Sequence, residues 1–297
     1  MARRIVIVGS GGRLGAALLR EWQARGDKVI GLNRAQLDLA DSSRIREVLK
    51  PLDFDVLVNC AAQTNVDRCE SDMEEAFRIN AGAVGTLGDF CKRRKVRCVH
   101  VSTDYVFDGK KKTPYQEDDE PRPLSVYGLS KLTGEKAFPV VSDNYLIVRV
   151  SWIFGPDRPS FVDQILQRAL SHETVEAIAD KVSSPTFSLD VARLLRPLVD
   201  APNIESGIIH LANAGGCSWQ EYGQHALDCA VRAGVSLKGR TVQPLKLSKF
   251  PGFKARRPRW TTMDTSKLTR LTGLTPRPWQ EAVEEYVRDH WAPRHKP

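Results

Sequence analysis

The 297-residue chain has no apolar run approaching the roughly 20 residues that span a bilayer. Near its start, Ile5-Val-Ile-Val8 follows Arg3 and Arg4. This run is shorter than the roughly 7–15-residue core of a secretory signal and leads straight into glycines, so it reads as a buried strand. The six cysteines show no C-x-x-C spacing, which removes the common zinc and redox motifs, and no metal is expected. They read as reduced thiols of a cytoplasmic protein. No internal repeat and no low-complexity segment occurs. Aromatic residues are only 7% of the chain, and none interleaves with the basic runs Lys92-Arg93-Arg94-Lys95 and Lys110-Lys111-Lys112. Stacking platforms for nucleic acid are therefore lacking, and those runs read as solvated helix ends and loops. The formal net charge of +8 instead suits ligands that carry phosphates.

What is present is an alternation of strand and helix patterns. Strands are expected at Ile5–Val8, Lys28–Leu32, Asp55–Asn59, Val96–Ser102 and Tyr145–Ser151, all near-continuously apolar. Helices are expected around Leu14, Leu18, Leu19 and Trp22, over Ser42–Leu49 with Ser42 or Ser43 as cap, and over Glu74–Arg94. Such strands between helices imply a parallel sheet covered on both faces. Beyond about residue 155 prolines recur and the pattern loosens. Ile208–Leu211 reads as a late strand, Ser218-Trp-Gln-Glu221 as a capping box, and Trp279–Trp291 as a terminal helix. The expected architecture is α/β, a Rossmann-type doubly wound parallel sheet with a smaller C-terminal substrate-binding lobe. Residues 1–154 would form the nucleotide-binding domain. Residues 155–297 would form mainly the lobe, with some segments returning to the first domain.

The segment Gly9-Ser10-Gly11-Gly12-Arg13-Leu14-Gly15 lies between the first strand and the first helix and holds four glycines in seven positions. Glycines there allow a tight turn, close backbone approach to a pyrophosphate and close helix–strand packing. The helix start then offers free N–H groups to phosphate. After the second strand an acid would meet the adenosine ribose of NAD, but the residues here are Asn33 and Arg34. Arg34, with Arg13 in the loop, is placed to meet a 2′-phosphate, which favours NADPH while leaving NADH open. Asp38 and Leu39 lie where the adenine ring would come.

Ser102-Thr103-Asp104-Tyr105 follows the fourth strand, where open parallel sheets place ligand-contacting residues. Tyr127-Gly-Leu-Ser-Lys131 puts a phenol and an ammonium one helical turn apart. A neighbouring ammonium is expected to lower the phenol pKa from about 10 and make it a usable proton donor or acceptor.

The glycine loop, Asn59-Cys-Ala61-Ala62-Gln63-Thr64, Asn80, Thr103 and the Tyr127/Lys131 pair follow one another as in the extended short-chain dehydrogenase/reductases, which the chain resembles. The resemblance implies a tetrad of Asn80, Thr103, Tyr127 and Lys131, with Ala61 and Ala62 lining the cofactor opposite the glycine loop. Within that superfamily the chain resembles the dTDP-4-dehydrorhamnose reductase family. The segments carrying this are Asn59–Asp67, Val101-Ser-Thr-Asp-Tyr-Val-Phe-Asp-Gly109, Val126–Lys136, Arg149–Gly155, Ser184-Pro-Thr186 and Met263–Lys267. The related dehydratases carry a Glu as C5 base where this chain has Tyr105.

The resemblance implies reduction of the C4 ketone of a nucleotide-linked deoxysugar, with dTDP-4-dehydro-β-L-rhamnose expected to give dTDP-β-L-rhamnose. Tyr127 would give the proton, Lys131 would hold the nicotinamide ribose and Thr103 would bind the keto oxygen. Asp104 and Trp152 would contact the sugar. Asn213 and Arg257 are weaker candidates for the nucleotide end of the substrate. Two departures fall in the segment Asp180-Lys-Val-Ser-Ser-Pro-Thr186, where Lys181 and Ser183 replace a Gln and a Gly. The β subunit of methionine adenosyltransferase resembles the same branch, so a non-catalytic NADP-binding regulatory subunit stays open, as does a sugar-nucleotide epimerase. A homodimer is compatible with the sequence, with Glu21, Asp190 and Glu284 as candidates for its contact.

Overall fold

A computed structural model describes residues 3–201, 205–250 and 252–295. The five expected strands form as β1 (Arg4–Val8), β2 (Lys28–Leu32), β3 (Val56–Asn59), β4 (Arg97–Thr103) and β5 (Tyr145–Val150). Gly207–Leu211 joins them from the second half of the chain, pairing with β5. The order is Gly207–Leu211, β5, β4, β3, β1, β2, with every pairing parallel. The chain moves outward from β1 to β2 on one side and from β3 onward on the other. The crevice at this switch point, beyond the strand carboxyl ends, is where such sheets admit ligands.

Alternation along β1 explains the two layers. Ile5 and Ile7 pack with Leu18 and Trp22 of helix Arg13–Ala24 and with Leu194 and Leu198 of helix Ser188–Asp200. Val6 and Val8 face the other way, into a core with Ile45, Leu49, Leu87, Phe90 and Phe138. Each such buried side chain contributes about 1.5–3 kcal/mol. The Trp22 indole donates to the Ala192 carbonyl at 3.0 Å, so its one polar atom is satisfied.

Three local expectations change. The helix expected over Glu74–Arg94 is broken into Met73–Phe77, a π-helical turn Arg78–Gly82 and Ala83–Arg94. The turn presses the Asn80 carbonyl against Gly134, where a Cβ would stand 2.2 Å from it. The terminal helix likewise ends in a π turn, Val287–Trp291. Ser42 precedes helix Ser43–Leu49 but makes no side-chain cap; Asp41 accepts the Ser43 N–H instead. The capping box at Ser218 and Glu221 forms as read, with bonds of 3.1 and 2.7 Å.

The second half contains helices Phe161–Ser171, Trp219–Arg232 and Trp279–Tyr286 and a parallel pair, Val175–Ile178 with Val242–Leu245. Trp152, Phe161, Trp219 and Tyr222 form an aromatic cluster with centroids 4.8–5.4 Å apart. Among the described residues no helix is long and apolar enough to cross a membrane.

Candidate active site

A cleft of about 920 Å³ opens at the strand carboxyl ends. Its floor begins with the turn after β1. Gly9 has φ +84°, and a Cβ there would stand 2.7 Å from the Ala61 nitrogen, so only glycine lets the two loops meet. Gly9, Gly11, Gly12, Arg13, Leu14 and Gly15 line the cleft, and helix Arg13–Ala24 begins there with no side-chain cap. An uncapped helix start behind bare glycine backbone fits the pyrophosphate of a dinucleotide. Ser10 is not among the residues lining the cleft, and its N–H donates to the Leu32 carbonyl at 3.1 Å.

Asn33, Arg34, Asp38 and Leu39 line the next wall. The Asn33 side chain shapes the turn after β2 by accepting from the Ala35 and Gln36 N–H groups. Among the described residues Arg34 is held only by Asp38, at 3.0 Å, and its side chain is 68% exposed. Arg13 is committed elsewhere. Its guanidinium donates to the carbonyls of Ile153, Arg158 and Pro159. It is a clasp between the glycine loop and the segment after β5, which leaves Arg34 as the more available of the two expected phosphate contacts. Arg158, which sequence reading passed over, closes the clasp by donating to the Gly11 carbonyl at 3.0 Å and lines the cleft.

Cys60, Ala61, Ala62, Gln63 and Thr64 line the opposite wall. Burial pushes the Cys60 thiol up to about 12. Asn80 does not line the cleft. It is buried, accepts the Gln63 N–H at 2.8 Å, and donates to the Gln63 carbonyl and the Ser130 hydroxyl. It fastens the β3 loop to the helix that carries Tyr127.

That helix, Val126–Val141, is capped by Ser125 and held to the sheet by a buried bidentate pair, Glu135 with Arg149 of β5 at 2.7–3.3 Å. Tyr127, Lys131, Thr103, Asp104, Tyr105 and Trp152 meet at the cleft's inner end. The Tyr127 phenol is raised above its ordinary value by burial, and its hydrogen bond with Thr103 offsets this in part. The expected lowering of the phenol by Lys131 is not found. The Lys131 ammonium points to the floor, donating to the Val101 carbonyl at 2.7 Å and meeting His100 at 3.1 Å, and burial lowers it to about 8. His100 is a polar residue inside an apolar strand run, and that was its one sequence signal. Tyr105 meets Tyr127 edge-on, centroids 5.7 Å apart. Trp152 has φ +45°, a left-handed conformation costing about 1–3 kcal/mol and concentrated at functional sites.

Asn213 is part of the frame rather than the cleft, accepting the Phe187 N–H and donating to Asp190. Arg257 joins the lobe to the helix Val66–Ser71 through Asp67 at 2.7 Å. Asp190 is buried against Arg277 and Asn213, which takes it out of any exposed dimer contact. Glu21 pairs with Arg20, and Glu284 is exposed. Among the described residues no cluster of three metal-ligating side chains occurs.

A doubly wound sheet with a glycine-loop cleft and a Tyr–Lys helix beside a strand-end threonine defines an NAD(P)-type oxidoreductase of the short-chain dehydrogenase class. Residues 3–291 match the family of the RmlD substrate binding domain. The chain is 35% identical to the dTDP-4-dehydrorhamnose reductase of Mycolicibacterium smegmatis, over 97% of this chain and 86% of the relative. It is 32% identical to the Bacillus subtilis spore coat polysaccharide biosynthesis protein SpsK, over 96% and 97% of the two chains. The Bacillus anthracis dTDP-4-dehydrorhamnose reductase, solved in complex with NADP, superposes with a TM-score of 0.89 at 29% identity, covering 96% of this chain and 99% of that one. The chain belongs to the dTDP-4-dehydrorhamnose reductase family.

Proposed function

We propose that this protein uses NADPH to reduce the C4 ketone of a nucleotide-linked deoxysugar, with dTDP-4-dehydro-β-L-rhamnose as substrate and dTDP-β-L-rhamnose as product. The observation that carries the reading is the pairing of a proton-bearing Tyr127 with Thr103 at the inner end of a cleft whose outer end is the glycine loop. The named relatives support the choice of sugar nucleotide. The bound nicotinamide would supply the hydride.

The chain supplies the rest. Gly9–Gly15 would cradle the pyrophosphate, Arg34 would meet the 2′-phosphate, and Lys131 would reach the nicotinamide ribose. Tyr127 would give its proton to the oxygen developing at C4. A phenol held above its ordinary pKa keeps that proton at neutral pH, which suits a donor. Thr103 would steer the phenol, while Asp104 and Trp152 would contact the sugar. Position 105 offers a phenol and no carboxylate, so removal of a carbon-bound proton has no base there.

The test is consumption of NADPH by the purified chain with dTDP-4-dehydrorhamnose. One NADPH oxidised per sugar reduced is expected, with a loss of about 10²–10⁴-fold in Tyr127→Phe. Binding of NADPH without turnover would point to a regulatory subunit. Sugar interconversion without net NADPH use would point to an epimerase.

A further inference from the structure

Lys181 is a lysine with 1% exposure, packed beside Tyr105 of the cleft lining. Its ammonium lies 5.3 Å from the Tyr105 ring centre and 6.0 Å from that of Trp219. Its hydrogen bond runs to the Ser183 hydroxyl, at 3.0 Å. Ser183 in turn meets the Thr261 hydroxyl at 2.9 Å, and Thr261 bonds the Asp104 carboxyl. Among the described residues neither Lys181 nor Asp104 makes a direct ion pair. Two hydroxyls connect them instead.

The direction of every proton in this chain is determined by its ends. An ammonium only donates, so Ser183 accepts from Lys181. An ionised carboxylate only accepts, so Thr261 spends its one proton on Asp104. Ser183 must then donate to Thr261. The same rule applies on the other side of Asp104. Ser151 donates to Oδ2 at 2.9 Å, and Thr103 donates to Oδ1 at 3.1 Å. Thr103 has then used its proton. Its oxygen accepts the Tyr105 N–H, at 3.2 Å. If Asp104 were protonated, it could donate to Thr103 instead, and the Thr103 hydroxyl would lose its fixed direction.

We propose that Lys181 is a positioning residue of the active site: through Ser183 and Thr261 it holds Asp104 as a carboxylate, and this fixes the direction of the Thr103 hydroxyl beside Tyr127. Its role in the reaction rests on the reductase reading, but its effect on Asp104 does not. Burial drives Asp104 toward its neutral form, and Lys181 leads the opposing influences, ahead of the Thr261, Ser151 and Thr103 hydroxyls. The other titratable groups facing the pair are Arg257, which repels Lys181, and the Tyr105 and Tyr127 phenols, which face Asp104. A cation and a carboxylate joined by hydroxyls in a dry interior interact strongly, because the local dielectric is low and aligned hydrogen bonds polarise one another.

The test is a pH titration of the full chain carrying ¹³C-carboxyl aspartate, with the Asp104 resonance assigned by its loss in Asp104→Asn. Lys181→Met is expected to raise the proton affinity of Asp104 about tenfold or more, and Lys181→Arg to restore most of it. Ser183→Ala keeps the ammonium but breaks the relay, and is expected to shift Asp104 the same way by less. A merely structural lysine would change stability and leave the Asp104 titration in place. An Asp104 titration unchanged in Lys181→Met overturns the proposal. If that variant does not fold, an unchanged titration in Ser183→Ala overturns it. No substrate enters the measurement, so absence of NADPH turnover would defeat the reductase reading alone.

Discussion

Nζ of Lys131 lies 3.1 Å from Nε2 of His100, a contact between two buried nitrogens beneath the cleft. The Ala61 N–H donates to Asn59 Oδ1 at 3.0 Å, so the Asn59 amide turns its NH₂ toward His100 Nδ1, 3.1 Å away. Nδ1 accepts, and the ring proton of the neutral imidazole therefore sits on Nε2 and faces Lys131. Burial keeps His100 neutral, with Lys131 acting in the same direction. Two facing donors repel, whereas an amine at Lys131 can accept. Burial lowers the ammonium to about 8.

The pH dependence of cofactor binding follows. Lys131 has a pKa below the 10.5 of a free lysine, so it is ammonium below about pH 8 and amine above it. If the ammonium holds the ribose hydroxyls, NADPH affinity falls as pH rises through about 8, by up to tenfold per unit. Fluorescence titration of NADPH across that range measures it. Lys131→Arg should bind without the break, and Lys131→Met should bind weakly at every pH. A wild-type affinity flat from neutral to alkaline pH contradicts the assignment.

The two arginines expected at the adenosine phosphate should now separate. Arg34 is exposed and paired with Asp38, whereas Arg13 is tied to three backbone carbonyls. Arg34→Ala should weaken NADPH binding by about 1.5–3 kcal/mol, the worth of a charge-assisted hydrogen bond, and leave NADH nearly unchanged. Arg13→Ala should weaken both together, because it loosens the clasp and not a phosphate contact. Dissociation constants for the two nucleotides, measured on each variant, distinguish these outcomes. Equal loss for both nucleotides in Arg34→Ala would remove the 2′-phosphate contact from consideration.

The sheet and the glycine loop could be read in the sequence because local chemistry determines them. β-Branched runs such as Ile5–Val8 and Val56–Asn59 have few ways to be buried, and Gly9 needs a positive φ whatever surrounds it. The π turn at Arg78–Gly82 could not be read, because it answers to Gly134 on another helix. Arg158 was hidden for the same reason, since its bond to Gly11 spans 147 residues. Lys181 and Ser183 stood out as departures from the family pattern, yet only the fold shows them bonded to each other and joined through Thr261 to Asp104.

The buried pair that seats the helix carrying Tyr127 should be costly to halve and cheap to replace. Glu135 and Arg149 are 3% and 1% exposed, and Arg149 also lies 5.1 Å from the Phe107 ring centre. Glu135→Gln leaves an uncompensated buried guanidinium and should cost about 3–5 kcal/mol in guanidinium chloride unfolding. Combining Glu135→Leu with Arg149→Met removes both charges and should cost less than either single change. Additive losses would show that the pair does not act as a unit.

Gly128, next to Tyr127, sets how closely the catalytic helix approaches the end of β4. A Cβ at this position would stand 2.2 Å from the Tyr105 carbonyl oxygen and 2.9 Å from Pro123 Cβ. Alanine ordinarily stabilises a helix by about 0.5–1 kcal/mol relative to glycine. Here it must push the first turn of Val126–Val141 off the strand, and overpacking of this kind costs about 1–3 kcal/mol. The displaced turn carries Tyr127, so the phenol moves relative to Thr103, and a shift near 1 Å can cost about 10²-fold in rate. Gly128→Ala should therefore lower both the melting temperature and kcat. Leu129→Ala, at a neighbouring position that is 44% exposed, should change neither and serves as the control. Wild-type kcat in Gly128→Ala would show that the helix can retreat from Tyr105 without moving the proton donor.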